Sequence, residues 1–448
     1  MTSFSSHNTH STAAAPAWQP FSNRGCRISL LLAYLCSLPC LLNLNVFLQY
    51  FTLTQHSYTL MLLACCGIAV FLLRSTLQFL LASPIIWVLL ALFHFFLVAL
   101  VAGATSPYTS LTLAIERGAI SRYGGILVIL ITGFCCGTAS ILFRKWHWLL
   151  LFLFAVSSLS PISAVVQQLI HPAERATGFV FLDPNEAGLY ALFPLVLGVV
   201  LTINTHRRFW LLSGLAFSSY GVLTSFSKTA MLALLVLLFL QPIFLLRNRS
   251  ISPHTKRYVS LVLWTAFIAY SLAFCAAASG RIGAFLTSEQ QERMEALWFL
   301  LTTGTLDDTT TSLRFSIWRH CIDLWLEAPL LGHGLTSMDI VPGLHDRSPH
   351  NVFLVLLCEA GAVGTAPIVL SSLLVIGYSL LNCSEEIRTL SIGFLIIALF
   401  FCMSLSNAMW IRPLNFFAGC VLGLLTVSKW RHPSLPRMGF DIASSAKL

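Results

Sequence analysis

Charged side chains make up only 10% of this 448-residue chain, against roughly a quarter in soluble domains. That scarcity excludes an ordinary soluble domain. The chain has no G-x-x-x-x-G-K-[ST] loop, no H-E-x-x-H pair and no repeat of fixed period. P-loop nucleotide chemistry, zincin-type catalysis and repeat architectures therefore have no support. The 13 cysteines sit mostly inside apolar runs, among them Cys65, Cys66, Cys135, Cys136, Cys402 and Cys420, and none forms a C-x-x-C pair in a polar loop. They read as small apolar packing residues, and neither a disulfide framework nor a zinc site is expected. Asp307 and Asp308 in "LDDTT" are the one candidate metal pair. Adjacent acids in a polar loop are more often simply solvated, so no metal and no cofactor is expected.

What fills the chain instead is apolar: 57% of residues are hydrophobic. Repeated runs of about 20 apolar residues mark an all-α polytopic membrane protein. Twelve spans are expected, near 28–50, 58–73, 80–102, 123–142, 148–168, 186–203, 209–226, 228–246, 258–278, 350–380, 389–408 and 413–428. The organisation follows: a flexible cytoplasmic tail over 1–27, nine helices over 28–278, one long outward-facing loop over 279–349, three helices over 350–428 and a second cytoplasmic tail over 429–448. The first run is longer than the roughly 7–15 apolar residues of a signal peptide, so it reads as a retained helix. With the N-terminus in the cytoplasm, every short turn on that side holds at least one of the 26 Lys and Arg. The positive-inside rule thus puts both termini inside. This asymmetry accounts for the net charge of +9, and no nucleic-acid partner is needed.

The long loop carries two amphipathic patterns. In "SEQQERMEALWFLL" Ser288 and Gln291 have the spacing of a capping box, and Met294, Leu297, Trp298 and Leu301 share a face. In "TSLRFSIWRHCIDLWLEAP" Trp318, Cys321, Ile322 and Trp325 form a stripe with Arg314 at its start. Both suit a membrane interface. Pro329 ends the second helix, and Gly332 and Gly334 in "PLLGHG" form a tight turn.

Few charges stand in the short turns on the outer side, so each is informative. They are Arg117 and Arg122 before the fourth span, Arg175, Lys228 in the very short turn "SFSKTA", and Arg412 in "NAMWIRPLN". An arginine at a helix end often just snorkels to headgroups. Lys228 is harder to dismiss, because the chain barely leaves the bilayer there and buried charge is costly. Together with Arg314 and His350 these groups suit a polyanionic lipid head such as a diphosphate. Fixed cations would then neutralise the charge that grows on a departing diphosphate. His350, directly before an apolar run, is a candidate base whose pKa neighbouring cations would lower. Asn351 caps the helix or orients a substrate. A plain helix-capping His-Asn pair is the alternative. Nine residues at 100° each put Glu359 on the face opposite His350, so it is expected to pair with another helix. Gly361 and Gly364 permit close helix approach. His94, in "LFHFF", reads as a satisfied core histidine.

The order Arg314, Trp318, Pro329, Gly332, Gly334, His350, Asn351, Leu354, Glu359, Gly361 and Gly364 resembles the C-terminal signature shared by bacterial O-antigen ligases and O-antigen polymerases. Pro184 and Asn185 in "FLDPNEAGLYALFPL" resemble the family's Pro-Asn segment, "SFSKTAMLAL" its S-R-x-A turn, and Arg412 near "AMWIRP" a tryptophan-arginine turn of some ligases. Lys228 departs from the arginine common there: charge is kept and the bidentate fork is lost. The resemblance implies a metal-independent inner-membrane glycosyltransferase whose donor is a glycan on undecaprenyl diphosphate. In the ligase branch the acceptor is lipid A-core on the periplasmic side, in the polymerase branch another lipid-linked repeat unit, and in a third branch pilin-like protein. A single sizeable outer loop favours the ligase branch. The site expected from it joins Arg314 and His350 as catalytic residues, Lys228, Arg412, Arg175 and Arg122 as diphosphate ligands, and Asn351, Asn185 and Glu359 as support. A transporter of lipid-linked sugar is the alternative of another class. It fits less well, since transporters gather ionisable groups near the midplane and often show repeated halves.

Overall fold

The computed structural model describes residues 23–42, 67, 76, 79–81, 83–109, 112, 119–143, 145–170, 176–177, 181, 183–247, 251–279, 287–304, 314–339, 349–405 and 411–430. Among them there are helices and no strands. In chain order these are α1 (Asn23–Leu41), α2 (Ile85–Thr105), α3 (Ala119–Leu142), α4 (Trp146–Ile170), α5 (Pro184–Tyr190), α6 (Phe193–Thr205), α7 (Phe209–Ser225), α8 (Lys228–Arg247), α9 (Pro253–Ala278), α10 (Ser288–Thr303), α11 (Arg314–Glu327), α12 (Val352–Asn382), α13 (Glu385–Ser404) and α14 (Arg412–Trp430). Eight spans are long and apolar enough to cross a bilayer, with α5 and α6 counted as one. The protein is an all-α polytopic membrane protein. The expected span at 58–73 lies outside the described residues except for Gly67, as do Arg117, Arg175, Asp307 and Asp308.

The bundle is organised around α6, in which every residue from Phe193 to Ile203 is buried. α4, α7 and α13 pack on it. Phe193 stacks on Phe417 of α14 with ring centroids 4.3 Å apart. The closest helix pair is α3 with α14. A Cβ at Gly133 or Gly137 would strike the carbonyls of Phe416 and Cys420, and one at Gly419 or Gly423 would strike those of Leu130 and Phe134. Each helix thus contributes a G-x-x-x-G to the other's backbone. In lipid, where tails compete for apolar surface, small residues of this kind let dispersion drive association.

α12 is a broken helix. Gly361 has φ 59° and ψ −165°, outside the helical region. A break inside a bilayer leaves backbone groups that no water can satisfy. The segment after α11 satisfies them. The N–H groups of His333 and Gly334 donate to the Cys358 and Glu359 carbonyls at 2.7 and 2.9 Å. In return, the N–H groups of Ala362 and Val363 donate to the Pro329 and Leu330 carbonyls at 2.9 and 3.0 Å. The "PLLGHG" turn is therefore a backbone plug in the helix break. A second gap follows, because Pro367 cannot donate to the Val363 carbonyl four residues back. His94 Nε2 on α2 fills it at 3.3 Å. His94 is exposed on the bundle's outer surface and not in the core, so its expected core setting is corrected while its hydrogen-bonded state stands.

Two local readings shift. The capping box of α10 is Thr287 with Gln290: the Thr287 N–H donates to Gln290 Oε1 at 3.1 Å and the Gln290 N–H to Thr287 Oγ1 at 3.3 Å. It falls one residue before the expected Ser288 and Gln291. On α11 the buried stripe is Ile317, Cys321 and Leu324, packed with Met338, Val355 and Cys358. Ile322 is 43% exposed, one helical position off the contact face.

Candidate functional site

The starts of α5, α8 and α12 and the end of α13 come together in one site. The first is the start of α5. Asp183 is its N-cap, with Oδ1 accepting from the Asn185 N–H at 2.6 Å, and Pro184 follows at the first helical position. This arrangement is the favoured one for starting a helix. The second is the turn between α7 and α8. Phe226 closes α7 in the left-handed region at φ 47°. Ser227 Oγ accepts from the Ala230 N–H at 3.3 Å to cap α8, whose first residue is Lys228. The two are stitched together, since Ser227 Oγ donates to Asn185 Oδ1 at 2.9 Å.

The third is the start of α12. Asn351 caps it, its Oδ1 accepting from the N–H groups of Phe353 and Leu354 at 2.9 and 3.3 Å. His350 precedes the cap with φ 48°, a conformation that histidine adopts more readily than most residues and that costs energy all the same. It is held from both sides. Asn351 anchors the helix after it, and Trp318 Nε1 donates to the Pro349 carbonyl before it at 2.7 Å. Trp318 lies one turn along α11 from Arg314, so the same bond brings Arg314 to the histidine. Since His350 lies outside the helix, a helical projection does not relate it to Glu359; the expected opposite-face argument started from a non-helical residue.

The fourth is the end of α13. The backbone of Ser404, the last residue of α13, lies beside His350. After the connection that follows, Arg412 opens α14.

The electrostatics bind these pieces into one site. Burial, first, and then the Arg314 charge lower the His350 pKa below its ordinary 6.5, while Asp183 and the Ser404 backbone raise it. Arg314 is pulled down by burial and by Arg293, and raised by Asp183. The imidazole is thus neutral at pH 7. In a neutral ring one nitrogen carries a proton and the other the lone pair that a base requires. Asp183 acts on both Arg314 and His350, and Arg293 adds a second positive charge beside Arg314. Arg314, Lys228 and Arg412 each stand at the first residue of a helix. The macrodipole disfavours a cation at that position and favours an anion.

Glu359 is tied to two other elements. It is 1% exposed, and its carboxylate accepts from Tyr123 Oη on α3 at 2.6 Å and from the Thr336 N–H at 2.9 Å. It ties α3 and the plug to α12. Arg122 lies in the first turn of α3, its side chain outside the described set, as is all of Arg175. Asp183, Arg293 and Ser404 are site neighbours that the sequence reading missed. Asp183 carried a readable signal, an N-cap acid before a proline among outer cations. Arg293 and Ser404 are brought in only by tertiary packing. Among the described residues, no three His, Cys, Asp or Glu side chains are grouped to hold a metal.

No curated protein matches the chain. Residues 211–369, which include Lys228, Arg293, Arg314, His350 and Glu359, match the family model described as O-Antigen ligase. With the apolar helices, this match places a domain similar to that of the O-antigen ligase family within an integral membrane protein.

Proposed function

We propose that the protein is an O-antigen ligase, transferring a glycan from undecaprenyl diphosphate to lipid A-core on the periplasmic face of the inner membrane, with both termini in the cytoplasm. The observation that carries this reading is the placement of Arg314. Asp183 offsets part of the Arg314 charge, but a half-buried cation at a helix start, beside a second arginine, still favours an arriving anion. The diphosphate of the donor is that anion. Lys228 and Arg412 open two more helices, and on this reading they bind the diphosphate together with Arg175 and Arg122.

The reaction is a direct displacement. The acceptor hydroxyl oxygen attacks the anomeric carbon from the face opposite the phosphate, and the C–O bond to the diphosphate breaks with inversion. The hydroxyl proton passes to neutral His350. The electron pair leaves on the diphosphate, where Arg314 and its neighbours stabilise it.

The test is transfer by reconstituted His350→Ala and Arg314→Ala proteins. His350→Ala abolishes transfer and leaves donor binding intact; Arg314→Ala weakens donor binding as well. Wild-type transfer by His350→Ala, or unchanged donor affinity in Arg314→Ala, overturns the corresponding role. The acceptor is tested by the lipopolysaccharide of a deletion strain. A ligase leaves core without any O-antigen, whereas a core bearing one repeat unit identifies a polymerase.

A further inference from the structure

Two cysteines meet where α11 rests on α12. Cys321 and Cys358 are both fully buried and both are thiols in the structure. The Cys358 Sγ–H donates to the Cys321 carbonyl at 3.3 Å, so the two residues are in direct contact. Ile317, Leu324, Met338 and Val355 enclose them. They are 37 residues apart in sequence and lie in two different elements. Cys321 is on the helix that starts with Arg314, and Cys358 is on the helix that His350 precedes, three residues before the break at Gly361.

We propose that Cys321 and Cys358 are joined as a disulfide in the mature protein, a covalent staple between the helix of the anion-binding arginine and the helix of the candidate base. This rests on the proposed function in one respect: α11 must face the periplasm, a compartment that oxidises thiols. The chemistry is exchange with the disulfide of a thiol oxidant. One cysteine thiolate attacks the oxidant's S–S bond and gives a mixed disulfide. The second cysteine displaces the oxidant's remaining sulfur, so one S–S bond forms, one breaks, and the oxidant leaves as two thiols carrying the two protons. Because the folded protein encloses both sulfurs, exchange runs before α11 seats on α12, and the finished bond is shielded from reductant.

The proposal also accounts for a weakness of the packing. α11 is a short helix that buries one stripe. Without a staple, its hold on α12 comes from that apolar stripe, the Trp318–Pro349 bond and the backbone plug. A crosslink here confines Arg314 relative to His350 whatever the state of the lipid around them.

The experiment uses the full-length protein in native membranes. Free thiols are trapped with a maleimide in denaturant without reductant, and the protein is then digested and its peptides mapped. The expected result is a linked Cys321–Cys358 peptide that disappears on reduction, with Cys40 and Cys420 fully alkylated. Cys321→Ser and Cys358→Ser each remove the linked peptide and expose the partner thiol to alkylation. A second arm treats the purified, reduced protein in detergent with oxidised glutathione during refolding from mild denaturant. Alkylated Cys321 and Cys358 in both arms overturn the pairing itself. A link formed in detergent but absent from membranes overturns the native bond through its premise, the outward placement of α11, and leaves the charge cluster of the site untouched.

Discussion

The indole nitrogen of Trp318 donates to the Pro349 carbonyl at 2.7 Å, and that bond joins the two halves of the site. It reaches from the turn after Arg314 to the residue before His350. Trp318→Phe keeps the ring and removes the donor. A single neutral hydrogen bond is worth about 1 kcal/mol, so the fold survives. Misplacing His350 lowers transfer by about tenfold or more. Donor affinity stays near wild type, because the cations stay. Measuring turnover and donor binding separately on Trp318→Phe checks this, and an unchanged turnover removes the bond from any positioning role.

The pH dependence follows from the neighbours of His350. Its pKa lies below 6.5 through burial and Arg314, so the acid limb of transfer falls below about pH 6.5. Asp183 opposes that shift. Asp183→Asn therefore moves the limb to lower pH, and Arg314→Gln moves it to higher pH on whatever activity remains. Stability has a matching sign. The folded-state pKa is depressed, so the contribution of neutral His350 is present above the unfolded value near 6.5 and fades as pH falls through the folded one. A pH–rate series on the three proteins reads these directions.

The α3–α14 contact predicts where bulk is intolerable. A side chain at Gly419 would meet the Leu130 carbonyl and the Phe134 backbone, so Gly419→Leu forces the helices apart. Overpacking of this kind costs about 1–3 kcal/mol or more. The expected result is a lower melting temperature in detergent. Gly124, beside which a Cβ meets nothing, accepts alanine with no such loss.

The helices were legible because apolar runs of membrane length have few other readings, as the long buried run through α6 shows. The His350 and Arg314 positions stood out because charge is rare in the chain. Other features were not legible, for definable reasons. The capping box of α10 was misplaced by one residue because Thr287-Gln290 and Ser288-Gln291 fit the same spacing, and only the observed hydrogen bonds choose between them. Ile322 was put on the contact stripe because a helical pattern in a short segment does not say which neighbour it will meet. The break at Gly361 was hidden in an unbroken apolar run. A glycine there reads equally as a packing residue, and the turn that repairs it lies about thirty residues earlier. Arg293 reaches Arg314 only because α10 folds back over α9.

That break supplies the sharpest contrast between two glycines of one helix. Gly361 adopts φ 59° and ψ −165°, a region that residues with a Cβ scarcely enter, at a cost of about 1–3 kcal/mol. A Cβ there would also press into the Leu330 carbonyl and the Leu331 nitrogen, disturbing the plug that completes the backbone hydrogen bonds of α12. Gly377 in the same helix has helical geometry and nothing near its Cβ position. Alanine at Gly377 is therefore neutral or stabilising by up to about 1 kcal/mol, through the lower entropy cost of a non-glycine helix residue. Gly361→Ala loses at least about 2 kcal/mol and lowers the melting temperature. It also lowers transfer, because the plug is continuous with α11 and so with Arg314. Thermal unfolding of the two alanine variants in the same detergent separates these outcomes. Equal melting temperatures would mean that α12 runs through residue 361 as a regular helix, and that the "PLLGHG" turn has no break to fill.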